Sequence, residues 1–352
     1  MPSIIQIETS VPEHCLDQIE IGRDMERFAK DRKEKKYIKS IYEDSGIKKR
    51  YSVLSKFNDF LSLKSTKERN DLYIKESKTL ITKLIEKTFK NSKNLKPQDI
   101  THIITVTCTG FYTPGIDLQI INEFSIPQNV ERYHLGFMGC FGAFPAIKMA
   151  NQLCQIHKDA NVLVICLELC TIHFQLKSDL DTLLANSLFA DGAAAAIVSN
   201  TKDAMSKSIN INKMSNHIIS QGQDDMAWSI GDNGFDMVLS KYVSKIIGKN
   251  IQKVVSEDLK NFNLEFSQIN SWAIHPGGKT VLENVKNAIN ISDERMIESK
   301  DILYNYGNMS SASILFVLEA IFKKNPIEEK KEIFALAFGP GLTVETASLT
   351  LE

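Results

Sequence analysis

Hydrophobic and polar positions along the chain switch between two periods. ERNDLYIKESKTLITKLIEKTFKN, Glu68 to Asn91, places Leu72, Leu80, Leu84 and Ile85 at helical spacing and predicts an amphipathic helix. THIITVTCTG follows, a short β-branched run ending at Gly110, and predicts a strand. The succession continues with a helix near Asp117 to Phe124, a helix opening after Cys140, the strand NVLVICLEL, a helix around Asp181 to Leu188 and the small-residue strand DGAAAAIVSN from Asp191. The second half repeats the logic. A helix is expected from Val238 to Leu259, then the strand INSWAIHP, helices from Lys279 and Ser310, and the strands EIFALAFGPG and VETASLTLE. Strands alternating with helices imply an α/β chain with a sheet covered on both faces. Both halves read as one βαβ-rich unit, which suggests an internal duplication whose sequences no longer match visibly. The lysine- and asparagine-rich span SNTKDAMSKSININ, Ser199 to Asn212, is the expected seam, dividing the chain into 1–205 and 206–352.

Composition changes this picture little. The 352 residues are 43% hydrophobic and 24% charged, enough for a large core and for about two domain-sized units. A net charge of -1 gives no global electrostatic case for nucleic acid or an anionic membrane. No apolar run reaches the length of a spanning helix, and MPSIIQIETSVPEHC lacks the charged and apolar regions of a signal peptide. The expectation is a soluble protein of the cytoplasm. The lysine-rich segment Phe28 to Arg50 reads either as a solvated helix face or as a landing strip for a phosphate-bearing ligand.

The six cysteines are Cys15, Cys108, Cys140, Cys154, Cys166 and Cys170, without a CxxC pair or the density of a disulfide scaffold. Cys166 and Cys170 with His173 suggest a metal site only weakly, because they end an apolar strand and no second ligand cluster appears, so no metal is expected.

Most cysteines in apolar runs are small core residues. Cys140 differs in its setting, GFMGCFGAFPAIKMA: glycines permit a tight turn, and Phe144, Ile147, Ala150, Leu153 and Cys154 mark one face of a helix in which Pro145 fits only the first turn. Cys140 thus lies at a helix N-terminus, where the macrodipole favours an anion and lowers a thiol's pKa. His275 ends the strand SWAI before Pro-Gly-Gly and a helix, and Asn308 in YGNMSSAS opens another. Alone, each has a bland reading as a loop histidine or a capping asparagine. Together at strand ends and loops that open helices, which converge on one face of such a sheet, they form a set of nucleophile, base and orienting group. A protonated His275 beside the thiol is expected to hold it as a thiolate.

The motifs RYHLGFMGCFGAFPAIKMA, WAIHPGGKTVLENV, NYGNMSSASILFVLE and AFGPGLTVETASL resemble the type III polyketide synthases, the chalcone and stilbene synthase superfamily; DSGIKKRY and SLFADGAAAAIV fit the same pattern. The resemblance runs in register from about Ile4 to the C-terminus, with a short deletion before Phe189. It implies a thiolase fold, with duplicated βαβαβ halves in α-β-α-β-α layers, a homodimer, and a catalytic triad of Cys140, His275 and Asn308. It also implies iterative decarboxylative condensation of malonyl-CoA onto a Cys-bound acyl group from an acyl-CoA, with no metal or redox cofactor. Phe189 matches the family's gatekeeper phenylalanine. The implied cavity and substrate contacts are Cys108, Thr109, Thr113, His173, Trp228, Met237, Gly277 and Ser310. Lys36, Lys39 and Lys279 stand in for plant CoA-binding lysines that do not align one for one.

Cys108, Thr113 and Trp228 differ in size from their plant counterparts, Trp228 replacing a glycine, which points to medium-chain acyl starters and alkylpyrone, resorcinol or acylphloroglucinol products. Ala337 replaces the first glycine of the family's GFGPG loop. The Lys/Asn/Ile-rich composition resembles the C-terminal domain of the slime-mould Steely hybrid synthases, where a fused fatty-acid synthase delivers the starter; an acyl carrier protein is the related alternative. Two rivals remain: a ketoacyl synthase III performing one condensation, whose histidine motif resembles HQAN rather than HPGGK, and an inactive thiolase-fold scaffold.

Overall fold

The computed structural model describes residues 1–92, 95–201, 207–325 and 330–352. The chain opens with β1 (Ser3–Ser10), β2 (His14–Asp17), α1 (Gln18–Glu26), α2 (Arg32–Glu43) and β3 (Lys49–Ser52). The long α3 (Thr66–Asn91) leads into β4 (His102–Thr107), α4 (Ile116–Phe124), β5 (Glu131–Gly136), α5 (Ala143–Ile156), β6 (Asn161–Leu169), α6 (Leu180–Leu188) and β7 (Asp191–Ser199). The second half contains β8 (Ile209–Ile218), β9 (Met226–Gly231), β10 (Gly234–Leu239), α7 (Val243–Phe262), β11 (Ser271–Ile274) and α8 (Lys279–Ile289). It closes with α9 (Ile297–Tyr306), α10 (Ser313–Lys324), β12 (Lys331–Gly339) and β13 (Thr343–Leu351).

Nine strands run in the order β11-β12-β13-β8-β1-β7-β6-β4-β5. Between β1 and β8 only Ser3↔Asn210 and Ile4↔Ile209 pair, so the sheet is two leaves joined at a corner. Side chains alternate across each strand, and this sorts the core into layers. Ile103, Leu163, Ile165, Ala193 and Ala195 meet Leu80, Leu84 and Ile120 of α3 and α4. Their neighbours Ile104, Val164, Cys166, Ala194 and Ala196 face the central helices α5 and α10, which also cover Ile333, Ala335, Ala347 and Leu349 of the second leaf. The far face of that leaf, with Trp272, Phe334, Leu336 and Val344, packs on α7 and α8. The order helix, sheet, helix, sheet, helix is the expected α-β-α-β-α arrangement.

Local sequence explains most elements. The Ser65 side chain accepts from Glu68 N–H and caps α3, as the pattern from Glu68 anticipates. The alanine run of β7 is buried on both faces, its small side chains admitting helices close on either side. The helix expected from Val238 is corrected: α7 starts at Val243, and Val238 belongs to β10, paired with β9 across a turn at Asp232-Asn233. The turn residues and the alternation on either side of them win over helical periodicity. α9 also escaped the sequence reading. The expected boundary at 205/206 lies outside the described residues. No helix among the described residues is long and apolar enough to cross a membrane.

Candidate active site

Cys140, His275 and Asn308 reach one cavity from three separate loops. Between β5 and α5 the chain turns through Phe137 at φ 57° and Gly139 at φ 80°. A Cβ on Gly139 would lie 2.4 Å from Pro340 Cδ, so only glycine serves there. Hydrogen bonds from Gly142 N to Gly139 O and Phe144 N to Phe141 O, both 2.9 Å, wind the chain into α5 just after Cys140.

His275 follows β11 and stays in the sheet through its N–H to Leu336 O at 2.8 Å. The residue is 1% exposed, and neither ring nitrogen has a hydrogen-bond partner among the described residues. Its imidazole can therefore present both a lone pair and an N–H to a substrate. Asn308 pairs with Phe189 in an isolated bridge, and its Oδ1 accepts from Ser310 N at 2.9 Å. That leaves the carboxamide nitrogen as the donating group, directed at the Cys140 thiol and suited to a developing oxyanion beside it.

The cavity has a volume of about 340 Å³. Of the residues expected there, Cys108, Thr109, His173, Phe189, Trp228, Met237, Gly277, Lys279 and Ser310 line it. Thr113 does not: it is exposed, in a cis Thr113–Pro114 turn beyond the end of β4. Lys36 and Lys39 are also outside the lining, exposed on α2, where Lys39 sits 3.7 Å from Glu43. Tyr37, Ser40 and Ile41 of α2 and its cap residue Asp44 do line it, a helical stripe readable from spacing but overshadowed by the lysines. Lys241, just before the true start of α7, and Ser244, in its first turn, line it as well and were not singled out from sequence; Cys170 is a third thiol in the wall. Ala337 is buried within β12, whereas Phe338 and Pro340 reach the cavity.

The wall formed by the β9–β10 hairpin is fastened to the end of β4. Trp228 Nε1–H donates to Cys108 O at 2.6 Å. His173 Nε2–H donates to Thr109 O at 2.6 Å, and its Nδ1 accepts from Phe235 N–H at 3.1 Å. The Phe235 ring stacks on His173 with centroids 4.0 Å apart. With both nitrogens engaged and burial pushing its pKa down to about 3, His173 is a neutral structural link.

Electrostatics bear on one expectation, the thiolate and imidazolium pair. Burial pushes the Cys140 thiol up to about 12, against which hydrogen bonds from Ser310 and Asn308 act in the lowering direction. Burial likewise pushes His275 down to about 3. Burial thus acts against the expected thiolate and imidazolium and favours a neutral thiol and a neutral imidazole, and the His275 ring gains no hydrogen bond from the described residues. Beneath the site Glu168 is fully buried and pushed up to about 7, its oxygens held by Cys108 N–H, Thr109 Oγ1 and Ser311 Oγ. A raised thiol pKa means that thiolate accumulates only as pH climbs through the alkaline range. Iodoacetamide should therefore modify Cys140 slowly at pH 6 in the free protein, with a rate still rising above pH 9. Peptide mass spectrometry of alkylation against pH checks this, and rapid labelling at pH 6 would restore the ion pair.

Comparison with known proteins places the chain among related sequences and structures. A family model described as "FAE1/Type III polyketide synthase-like protein" matches residues 12–266, and one described as "Chalcone and stilbene synthases, C-terminal domain" matches residues 210–351. The chain is 28% identical to "Alpha-pyrone synthesis polyketide synthase-like Pks18" of Mycobacterium tuberculosis, over 96% of this chain and 88% of that protein. It is 29% identical to "Probable polyketide synthase 1" of Dictyostelium discoideum, over 97% of this chain but 11% of that protein. Among solved structures, the C-terminal type III polyketide synthase domain of Steely1 from Dictyostelium superposes with a TM-score of 0.92 at 28% identity, covering 99% of this chain and 98% of that one. The 1,3,6,8-tetrahydroxynaphthalene synthase of Streptomyces coelicolor gives 0.92 at 26% identity, with 99% and 98% covered.

Proposed function

The chain belongs to the type III polyketide synthase family of acyltransferases, and from that premise we propose that it extends a Cys140-bound acyl group iteratively with malonyl-CoA. The observation that carries this is the convergence of a thiol, an unengaged imidazole and a carboxamide donor on one cavity. Neutral His275 takes the thiol proton as Cys140 Sγ attacks the acyl-CoA carbonyl, and returns it to the departing CoA sulfur. Malonyl-CoA then binds with its thioester oxygen toward the Asn308 amide and a His275 N–H. The bond to the carboxylate breaks, CO2 leaves, and the electron pair becomes an enolate held by those two donors. The enolate carbon attacks the Cys140 thioester, and the thiolate leaves. These steps are proton transfer, acyl transfer and decarboxylation, which require no metal or redox cofactor.

Lys241 and Lys279 in the cavity lining replace Lys36 and Lys39 as the cations best placed for CoA phosphates. The predominantly apolar wall and the resemblance to an α-pyrone synthase support a medium-chain fatty acyl starter and closure to an alkylpyrone, resorcinol or acylphloroglucinol. The starter arrives as a CoA thioester; delivery by a carrier protein or a fused fatty-acid synthase is the alternative. Free buried cysteines fit a reducing compartment such as the cytoplasm. We also propose a homodimer, because β5 is an edge strand of the sheet and the aromatic side chains of Phe111 and Phe137 are exposed close by. Light scattering giving the single-chain mass of 39.6 kDa would remove that reading.

Mass spectrometry of products from purified protein, malonyl-CoA and a panel of acyl-CoAs tests the function. Two or more extensions are expected. A single extension makes the protein a one-step condensing enzyme, and no turnover makes it a scaffold. In the same assay Trp228→Gly should shift products toward longer or bulkier chains, since it removes an indole from the wall together with the bond that fixes it. An unchanged profile would show that Trp228 does not limit the chain.

A further inference from the structure

Arg50 is 1% exposed, deep in the protein, and lies outside the catalytic set. Its Nη1 donates to two main-chain carbonyls, Asn186 O at 2.8 Å and Phe189 O at 2.6 Å. Tyr42 Oη donates to the same Asn186 carbonyl at 3.2 Å. The guanidinium is seated among the rings of Tyr42, Phe57 and Phe174, each 5.7–5.8 Å from it. The stem of Arg50 packs against Gly307, where a Cβ would come within 2.9 Å of Arg50 Cγ, and Gly307 holds φ 73°.

These contacts span two chain segments that meet at the site. The gatekeeper segment and the Asn308 loop are joined by Asn308 N to Leu188 O at 2.9 Å and Ala190 N to Asn308 O at 2.8 Å. Arg50 grips the first segment by two carbonyls and braces the second through Gly307. Asp191, fully buried and one residue beyond that junction, favours the charge on Arg50, as Arg50 does that of Asp191. A buried guanidinium is costly unless paired, and a core of this size could fill the space with apolar side chains. What the cation adds is a directional hold on backbone carbonyls at a crossing that carries two cavity residues.

We propose that Arg50 is a positioning residue for the condensation reaction, fixing Phe189 and Asn308 as one unit so that the Asn308 amide meets the malonyl thioester oxygen. This inference rests on the proposed function of the site. It separates two activities: acyl loading needs Cys140 and a base, whereas malonyl-CoA decarboxylation needs the Asn308 amide in place. Misplacement of a catalytic group by about 1 Å can cost roughly 100-fold, and that is the scale expected for decarboxylation in Arg50→Met.

The experiment measures, on the purified full chain, transfer of a radiolabelled acyl group to Cys140 and decarboxylation of malonyl-CoA, with circular dichroism to normalise for folded protein. Arg50→Met should lower the ratio of decarboxylation to loading strongly, and Arg50→Lys, which keeps a cationic donor, should give an intermediate ratio. Equal losses in both activities, or an unchanged ratio, would overturn the inference. If Arg50→Met does not fold, the Arg50→Lys ratio decides alone: below wild type supports the proposal, equal to it refutes it. A wild-type protein that neither loads nor decarboxylates would refute the reading of the site itself, a result distinct from either outcome for Arg50.

Discussion

Cys140→Ala is expected to abolish acyl loading and polyketide formation, by roughly 10⁴-fold or more, the scale of losing a covalent nucleophile. Cys108 and Cys170 also line the cavity, but Cys108 Sγ is already engaged, accepting from Gly139 N–H at 3.0 Å, and Cys140 is the thiol on which Ser310 and Asn308 act. The fold should survive, because the change removes one sulfur atom beside an existing cavity and costs about 1 kcal/mol. Decarboxylation of malonyl-CoA should persist weakly, since His275 and Asn308 remain. The check is acyl-enzyme mass together with product analysis. Full-length product from the variant would show that Cys140 is not the nucleophile.

His275→Gln should impair both halves of the reaction. Gln has no group basic enough to take the Cys140 proton, so loading should fall by roughly 10² to 10⁴, the usual contribution of general-base catalysis. Decarboxylation should fall by about 10² to 10³, the cost of one oxyanion donor, softened where the Gln amide reaches the same oxygen. Asn308→Ala separates the two roles, since it removes an oxyanion donor and leaves the base, so decarboxylation should collapse while loading is largely kept. Single-turnover loading and CO2 release, measured on both variants, test this. Equal effects of the two substitutions on loading would remove His275 from the role of base.

The three groups of the site and the motifs around them were legible in the sequence because their chemistry is tied to local backbone needs. Gly139 must turn at positive φ, Gly307 must admit a neighbouring side chain, and a helix must start beyond each loop. Such constraints leave a mark at the residue itself. The alternation of strands and helices, and hence the layered fold, was equally visible, because burial on both faces of a strand has to be written into every position along it.

Three things were decided only in three dimensions. Proximity of side chains far apart in sequence is the first: α2 turns Tyr37 and Ile41 toward the cavity and leaves Lys36 and Lys39 outside, while Lys241 arrives from a segment misread as the first turn of a helix. The hairpin that carries Trp228 is the second, since its residues owe their strand form to pairing with each other and to bonds reaching β4. The protonation state of the site is the third. From sequence, the helix start and a neighbouring histidine argue for a thiolate. In the folded protein, burial of Cys140 and His275 acts against both, because the cost of desolvating a charge depends on how completely the rest of the chain encloses it.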